Sequence, residues 1–459
     1  MSRYPISIWW VRFDLRLEDN PALSAATRES EVVIPVFVFD SESETSKSKL
    51  RNNFLIGALI DLDLRLKRVR SKLLITQGDP SYELTKIIGR QSSIPVFANA
   101  GYSKQSKKVE TLVAKHTQLR LFSGQVSVDP YEISKKNGEP FKVYSAFRRK
   151  WEKVYRQKIF NTDYRRLGFK SGIESSYDLH SGKNSLAPCS TRAHALRTLR
   201  AFTERNGRIN RYSDLRDRVD RHTTSGMSET ISLGLIGPNE LFEVANSLRH
   251  SSAENRNLGS VNNWRNQLIW REFFKHSLNH FPESANKSLN PNLTHIDWIN
   301  HKEDIEAWYE GETGYPIVDA AMRQLSEDGW IHNRLRMIVA SFLVKDLLVD
   351  WRIGANWFHD KLIDYDSALN SGNWQWVAGT GFDASPFFRV FNPVLQGRKF
   401  DPEGNYVRRW IPEIKKLPSR VIHSPWELPH PPKNYPSPII DHAWARKRVL
   451  SVYADAISS

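Results

Sequence analysis

The sequence predicts two folds in one chain. Residues 1–130 read as a doubly wound parallel α/β domain of Rossmann-like type, 131–192 as a long interdomain linker, and 193–459 as an all-helical domain. Three observations carry this. Short apolar, β-branched runs alternate with stretches of helical spacing up to about residue 130. Residues 160–192 are rich in Ser, Gly, Lys and Asp and lose any apolar period. From Thr191 onward apolar residues recur every three to four positions.

Taken in order, the strand candidates are residues 6–11 (Ile-Ser-Ile-Trp-Trp-Val), 32–39, 72–76 and 94–98, with helical spacing between them, as from Phe54 to Leu66. Pro35 lies inside the second run. Because proline removes a ladder donor, it is expected to mark an edge or a strand start. No Gly-x-Gly-x-x-Gly follows the first strand, so a dinucleotide on the first helix N-terminus is not supported. Residues 135–140 (Lys-Lys-Asn-Gly-Glu-Pro) form a turn cluster that closes the first domain, and 160–192 are expected to drape over the surface. The chain turns proline-rich after Lys416, a short helix over 440–454 finishes it, and no extended tail is expected to follow.

Composition narrows the function classes. With 459 residues, 40 % apolar and 11 % aromatic, the chain is globular rather than disordered. Sixty-six Lys and Arg against 51 Asp and Glu give +15 and a pI near 9.7, which favours a polyanionic partner; a generally basic solvated surface is the blander reading. The single cysteine, Cys189, excludes an internal disulfide framework, and no Cys or His cluster has zinc-ligand spacing, so no metal site is expected. A reducing compartment follows: cytoplasm and nucleoid for a bacterial source, nucleus for a eukaryotic one. The N-terminus shows no secretory signal, and no apolar run is long enough to span a membrane.

Four constellations in the helical part carry chemistry. Tyr212 and Arg216 precede residues 223–228 (Thr-Thr-Ser-Gly-Met-Ser), a cluster of hydroxyls ahead of the apolar run 231–236. Free N–H groups and hydroxyls at a helix start suit an anion, although an ordinary N-cap is the commoner meaning of such a cluster. Next, Trp264, Gln267, Trp270 and Arg271 share one helix face. An aromatic stripe is usually core, but Arg and Gln within it need polar partners, which points to a ligand face. Third, one long helix is expected over 329–351, with Leu335, Ile338, Val339, Phe342, Leu343 and Asp346 on helical spacing. Asn333 and Met337 fall one turn apart on a neighbouring face, where Asn can read an amide or imide edge and Met gives an adaptable apolar contact; an Asn satisfied by backbone is the alternative. Last come residues 364–376 (Asp-Tyr-Asp-Ser-Ala-Leu-Asn-Ser-Gly-Asn-Trp-Gln-Trp), too rich in buried-type chemistry for a surface loop, and then 389–393 (Arg-Val-Phe-Asn-Pro).

Together with residues 10–22 (Trp-Val-Arg-Phe-Asp-Leu-Arg-Leu-Glu-Asp-Asn-Pro-Ala), 270–273 (Trp-Arg-Glu-Phe), 314–323 (Gly-Tyr-Pro-Ile-Val-Asp-Ala-Ala-Met-Arg), 332–337 (His-Asn-Arg-Leu-Arg-Met) and 373–376 (Asn-Trp-Gln-Trp), these strings closely resemble the photolyase/cryptochrome family of blue-light flavoproteins over the whole chain. The nearest resemblance is to cyclobutane pyrimidine dimer photolyases of the class I type. It implies an α/β domain that can hold an antenna pigment and a helical domain that holds FAD. On that pattern Tyr212 and the loop Thr224, Ser225, Gly226, Met227 and Ser228 hold the flavin phosphates, and Trp264 and Arg271 line the pocket. Asp364 pairs with Arg336 beside the isoalloxazine, Asp366 fixes the ribose or ring edge, Asn333 lies beside the adenine, and Asn370 faces flavin N5. Plant cryptochromes carry Asp and animal ones Cys at the position of Asn370.

The resemblance also implies that Trp374, Trp351 and Trp298 pass an electron hole from flavin to surface, with Trp298 near solvent. Trp270 and Trp376 clasp a flipped-out dimer beside Asn333 and Met337, and Arg216, Arg334 and Arg389 grip flanking phosphates. Asn333 and Met337 favour a cyclobutane dimer over a (6-4) product, whose enzymes show histidines along this stretch. Two positions depart from the family pattern. Gln267 stands where these photolyases usually carry a Glu that hydrogen-bonds the dimer, and an amide has no acid proton to give. Gly226 replaces a longer side chain. Residues 98–104 lack the acidic and arginine residues that often follow the equivalent of Tyr102, which leaves the second pigment open between a folate, a deazaflavin and none. The implied enzyme is a monomeric, light-driven DNA lyase acting on UV-damaged single- or double-stranded DNA. A cryptochrome-like photoreceptor with weak or no repair is the first rival, and a nucleic-acid-binding flavoprotein without photochemistry the second.

Overall fold

The computed structural model describes residues 3–40, 48–89, 94–169, 174–179, 181, 187–250 and 257–458. Of the expected linker, residues 170–173, 180 and 182–186 lie outside the described residues. The chain divides into two compact units. The first is Met1–Ser213, Ser225–Pro282 and Ile363–Ala368; the second is Asp214–Thr224, Glu283–Leu362 and Leu369–Ser459.

In the first unit five strands, β1 (Tyr4–Val11), β2 (Ser30–Phe39), β3 (Leu74–Gln77), β4 (Pro95–Asn99) and β5 (Gln118–Phe122), form one sheet of order β3-β2-β1-β4-β5, parallel throughout. Helices α1 (Pro21–Glu29), α2 (Lys49–Arg68), α3 (Pro80–Ile88) and α4 (Lys104–His116) alternate with them, so the doubly wound reading stands. Side-chain caps fix the helix starts: Asn20, Ser48, Asp79 and Ser103 each accept a backbone N–H from the first turn. Ile8, Trp10, Ile34, Val36, Leu74, Val96 and Ala98 fill one sheet face against Leu84 and Val113.

Pro35 corrects an expectation. It lies in mid-strand on β2, between β1 and β3, not at a strand start. Its partner on β1 is Trp9, whereas pairing with β3 begins only at Val36↔Leu74. The proline therefore sits just beyond the reach of β3, where a missing donor disrupts no ladder on that side. The fifth strand, Gln118–Phe122, was not among the strand candidates. It is a partly exposed edge strand.

The stretch 131–192 is more structured than a linker. It contains α5 (Tyr144–Val154), which buries Tyr144, Phe147 and Trp151. These pack on α10 (Leu258–His280): the Phe147 and Phe273 rings lie 5.3 Å apart, and Trp151 Nε1 donates to Glu272 at 2.5 Å. Residues on both sides of the expected boundaries at 130 and 192 thus share one unit, because an amphipathic helix within the stretch buries its face there. Between α5 and α10 come α6 (Arg192–Thr203), capped by Thr191, α7 (Tyr212–Leu215), α8 (Ser228–Ser232) and α9 (Pro238–His250). The exposed Cys189 sits in the single turn Pro188–Ser190.

The second unit is helical: α11 (Lys302–Glu310), α12 (Pro316–Asp328), α13 (Asn333–Ser341), α14 (Trp351–Lys361), most of α15 (Ser367–Ala378), α16 (Pro393–Phe400), α17 (Asn405–Trp410) and α18 (His442–Ser458). The single helix expected over 329–351 is not formed. Gly329 ends α12 at φ 65°, His332 caps α13, and α13 gives way at Phe342–Asp346 to a widened π turn. Leu347 N bonds Phe342 O across five residues, Leu348 adopts φ 55°, and Asp350 caps α14. The break lets Lys345 turn inward. Its Nζ donates to Ala378 O at 3.1 Å and lies 3.6 Å from the Tyr453 ring centre, while Tyr453 Oη donates to Ala378 O at 2.8 Å. Burial pushes the Lys345 amine down to about 7 and the neighbouring Asp346 carboxyl, bonded to His442, up to about 6.

Candidate functional site

The first unit places one set of expected residues around α10. Trp264 is buried, with its ring edge-on to Phe202 at 5.3 Å, and Tyr212 meets the same phenylalanine edge-on at 6.0 Å. Gln267 is exposed one turn later, and Trp270 is half-buried. Arg271 donates from Nη1 to Gln125 O at 2.6 Å, while its buried Nε has no hydrogen-bond partner among the described residues. Lys275, one turn further, reaches Gln125 Oε1 at 2.8 Å and Asp366 at 2.7 Å. Sequence reasoning named Arg271 and Asp366 but missed Lys275 and Gln125, which tie them together. Asp366 thereby has a cation of its own, in an ion pair with both side chains 7 % exposed, and such a pair is held by good geometry rather than by solvent.

The same helix carries Glu272, which is fully buried. Burial pushes its carboxyl up, against the bonds it accepts from Ser127 N and Trp151 Nε1. Asp364 is buried as well. In the loop ahead of α8 the ordinary helix-cap reading is not what is built. Met227 occupies the N-cap without a side-chain bond, and the Thr223 hydroxyl turns back to Leu215 O. Gly226 has φ 66°, a left-handed backbone that glycine enters without steric cost, and a Cβ there would meet nothing within 4 Å. Met227 packs its side chain in the core, which leaves its peptide group as its contribution, whereas Thr224, Ser225 and Ser228 stay at least partly exposed.

The second unit holds the other set. Asn333 Nδ2 lies 3.7 Å from Met337 Sδ, the one-turn pair expected on α13. Arg336 Nε donates to Ile331 O. Arg334 makes a two-pronged pair with Asp217 (3.3 and 2.9 Å) and lies 4.5 Å from the Phe400 ring centre, so its charge already has a partner next to Arg216. On α15, Asn370 uses one amide hydrogen on Ala355 O at 2.9 Å. Trp374 is 2 % exposed and boxed by Phe358 at 5.0 Å and Trp308 at 6.3 Å, both edge-on. Its ring edge rests on Gly354, where any Cβ would collide with Cη2 and Cζ3 of the indole.

Gly354 is one turn from Trp351, itself buried at the start of α14, so one helix face carries Trp351 and receives Trp374. Trp298 is half-buried, edge-on to Tyr453 at 6.2 Å. Trp376 is half-buried, with the exposed Arg389 5.9 Å from its ring. Between the two indoles, Gln375 is fully buried and donates to Ser284 O and Lys287 O, which locks the register of the helix.

These residues fit the flavin that the sequence resemblance implies. The unpartnered Arg271 Nε and the open glycine of the 224–228 loop offer donors and room for an anionic, hydrogen-bonding group. The buried indoles of Trp351 and Trp374 are oxidisable side chains away from water. Among the described residues no group of His, Cys, Asp and Glu could hold a metal ion, and no helix is long and apolar enough to cross a membrane.

Comparison with known proteins agrees. Residues 264–455 match the model of the FAD binding domain of DNA photolyase, and residues 7–163 match the DNA photolyase model. The chain is 36 % identical to a deoxyribodipyrimidine photo-lyase of Agrobacterium fabrum, over 98 % of each chain. Among solved structures it is similar to a bacterial class III photolyase from Agrobacterium tumefaciens (TM-score 0.88, 36 % identity, covering 100 % of this chain and 99 % of that one). It is also similar to a cryptochrome of Synechocystis (TM-score 0.87, 26 % identity, covering 98 % and 100 %). An α/β sheet domain, a helical FAD-binding region and full-length relatives of this kind make the chain a member of the photolyase/cryptochrome family.

Proposed function

We propose that the protein is a light-dependent DNA photolyase that repairs cyclobutane pyrimidine dimers. When bound, reduced FAD supplies the light-driven electron that opens the dimer and takes that electron back, so the reaction is redox-neutral overall. The chain supplies position, dryness and charge. The observation that carries the reading is the face of α10, where the exposed Gln267 and the half-buried Trp270 lie one turn apart within the matched FAD-binding region. An indole offers every base a stacking surface, and an amide donates to a thymine carbonyl or accepts from its imide N–H.

Trp270 and Trp376, with Asn333 and Met337, take the extruded dimer, and Arg216 and Arg389 hold flanking phosphates. Arg334 joins that set by exchanging Asp217 for a phosphate. Tyr212, Thr224, Ser225, Gly226, Met227, Ser228, Trp264 and Arg271 hold the phosphates and adenine end of FAD. Arg336, Asp364, Asp366 and Asn370 serve its ring system, and Trp374, Trp351 and Trp298 form the reducing chain. The class I type is the subclass assignment that these motifs support, beside a 36 % identity to a class III enzyme. It predicts activity on cyclobutane dimers and none on (6-4) products. The protein acts as a monomer on DNA in nucleoid or nucleus, and residues 1–130 form the domain where a folate or deazaflavin antenna would sit.

Gln267 sets the test. Without an acid proton to share with the dimer, repair per absorbed photon is lower than in Gln267→Glu. Dimer loss under near-UV light, followed for both forms with reduced FAD, measures it. Photoreduction without any dimer loss in either form would instead identify a photoreceptor and sink the enzyme reading.

A further inference from the structure

Tyr144 was not among the expected site residues, yet it makes the closest aromatic contact of α10. Its ring lies face to face with Trp270, with centroids 3.7 Å apart and planes 9° from parallel. Its hydroxyl donates at 3.0 Å to Asn266 O, the carbonyl one turn before Trp270 on α10. In an α-helix that carbonyl also receives the backbone N–H of Trp270. One acceptor therefore registers both the backbone of the indole and the ring stacked on it.

Phe273, edge-on at 5.6 Å and 82°, and Phe274, at 5.7 Å, border the same indole, and Trp270 still remains half-buried rather than enclosed. A packing role alone would need only apolar volume at position 144. A coplanar ring tied by its hydroxyl does more: it sets the tilt of the indole and closes one of its two faces.

We propose that Tyr144 is a positioning residue for substrate capture, which holds Trp270 so that only its other face is presented to an extruded base. This rests on the assignment of Trp270 to the dimer. Stacking on a flat, preset indole recovers the base stacking lost on extrusion, and an indole already immobilised loses less entropy when the base arrives.

The test uses the full chain loaded with FAD. Affinity is measured for an oligonucleotide with one cyclobutane thymine dimer and for the same strand undamaged, in the unaltered protein, Y144F, Y144L and Y144M. Two truncations are made so that one misfolded variant does not pass for a binding defect, and thermal unfolding screens each. Y144L and Y144M weaken dimer binding about three- to tenfold, the range covered by immobilising one side chain at an interface. Affinity for undamaged DNA and repair per bound dimer stay unchanged, so the loss falls on KM and not on kcat. Y144F, which keeps the stacked ring, recovers most of the affinity.

Dimer affinity unchanged in both truncations, or lost equally for damaged and undamaged DNA, overturns the proposal. An unaltered protein that does not prefer the dimer overturns the assignment of Trp270 along with it, and that arm tells the two failures apart.

Discussion

Trp270 on α10 and Trp374 on α15 meet their surroundings in opposite ways. Trp270 is half-buried, stacked on one face and bordered by two phenylalanines. Trp374 is 2 % exposed, edge-on to Phe358 and Trp308, and pressed into a gap that only glycine at 354 leaves open. The same side chain thus sits in two different environments. An indole with an accessible face suits recognition by stacking, whereas one sealed from water cannot touch a substrate and suits the movement of charge. On the roles proposed above, environment more than residue type divides these two indoles.

The sharpest way to break this comparison is to remove one indole at a time. Trp374→Phe keeps an aromatic ring in the box but removes the easily oxidised indole. Photoreduction of oxidised flavin should fall to the rate of an unassisted solution reductant, followed by the loss of flavin absorbance under blue light. Trp270→Ala should leave that rate alone and weaken dimer-containing DNA by about 1–3 kcal/mol, the usual worth of one base–aromatic stack, read by equilibrium binding. If the two variants exchange these phenotypes, the division by exposure is wrong.

Finer variants sharpen the buried side. Gly354→Ala forces a methyl into the Trp374 ring edge. It should cost about 1–3 kcal/mol of stability, as overpacking does, and slow photoreduction while dimer affinity holds; thermal unfolding and flavin absorbance read the two effects. A separate, pH-dependent effect is expected at Lys345, under the end of α15. Its folded value of about 7 lies below the ordinary 10.5, so the unfolded chain binds more protons between those limits. Stability contributed above 10.5 is lost as pH falls towards about 7. Lys345→Met should therefore gain Tm relative to the unaltered protein as pH drops through that window, and the gain should level off below it. A Tm difference independent of pH would contradict this.

Much of the fold was legible because its signals are local. The alternation of apolar runs and helical stretches gives the parallel sheet, and the one-turn spacing of Asn333 and Met337 survives as a direct contact. Trp264, Gln267, Trp270 and Arg271 do lie on one helix, α10. Its neighbours were hidden because they come from far along the chain: Tyr144 and Gln125 reach α10 across more than a hundred residues, with no period to announce them. The stretch around Tyr144 read as linker because its apolar face is short and set among lysines and arginines. The break at Phe342–Asp346 was invisible for another reason. Its apolar spacing is that of an unbroken helix, whereas the π turn goes with a Lys345 that meets carbonyl partners far along the chain. The strand Gln118–Phe122 did carry a period-two alternation, which was the signal to use.

The exposed Cys189, in its single turn before α6, makes this protein easy to observe. As the sole thiol of the chain, it takes one maleimide dye without any mutation. A blue-emitting label would pass its excitation to oxidised flavin, which absorbs there, and much less to reduced flavin, which hardly does. Emission lifetime would then report cofactor loading and redox state in real time.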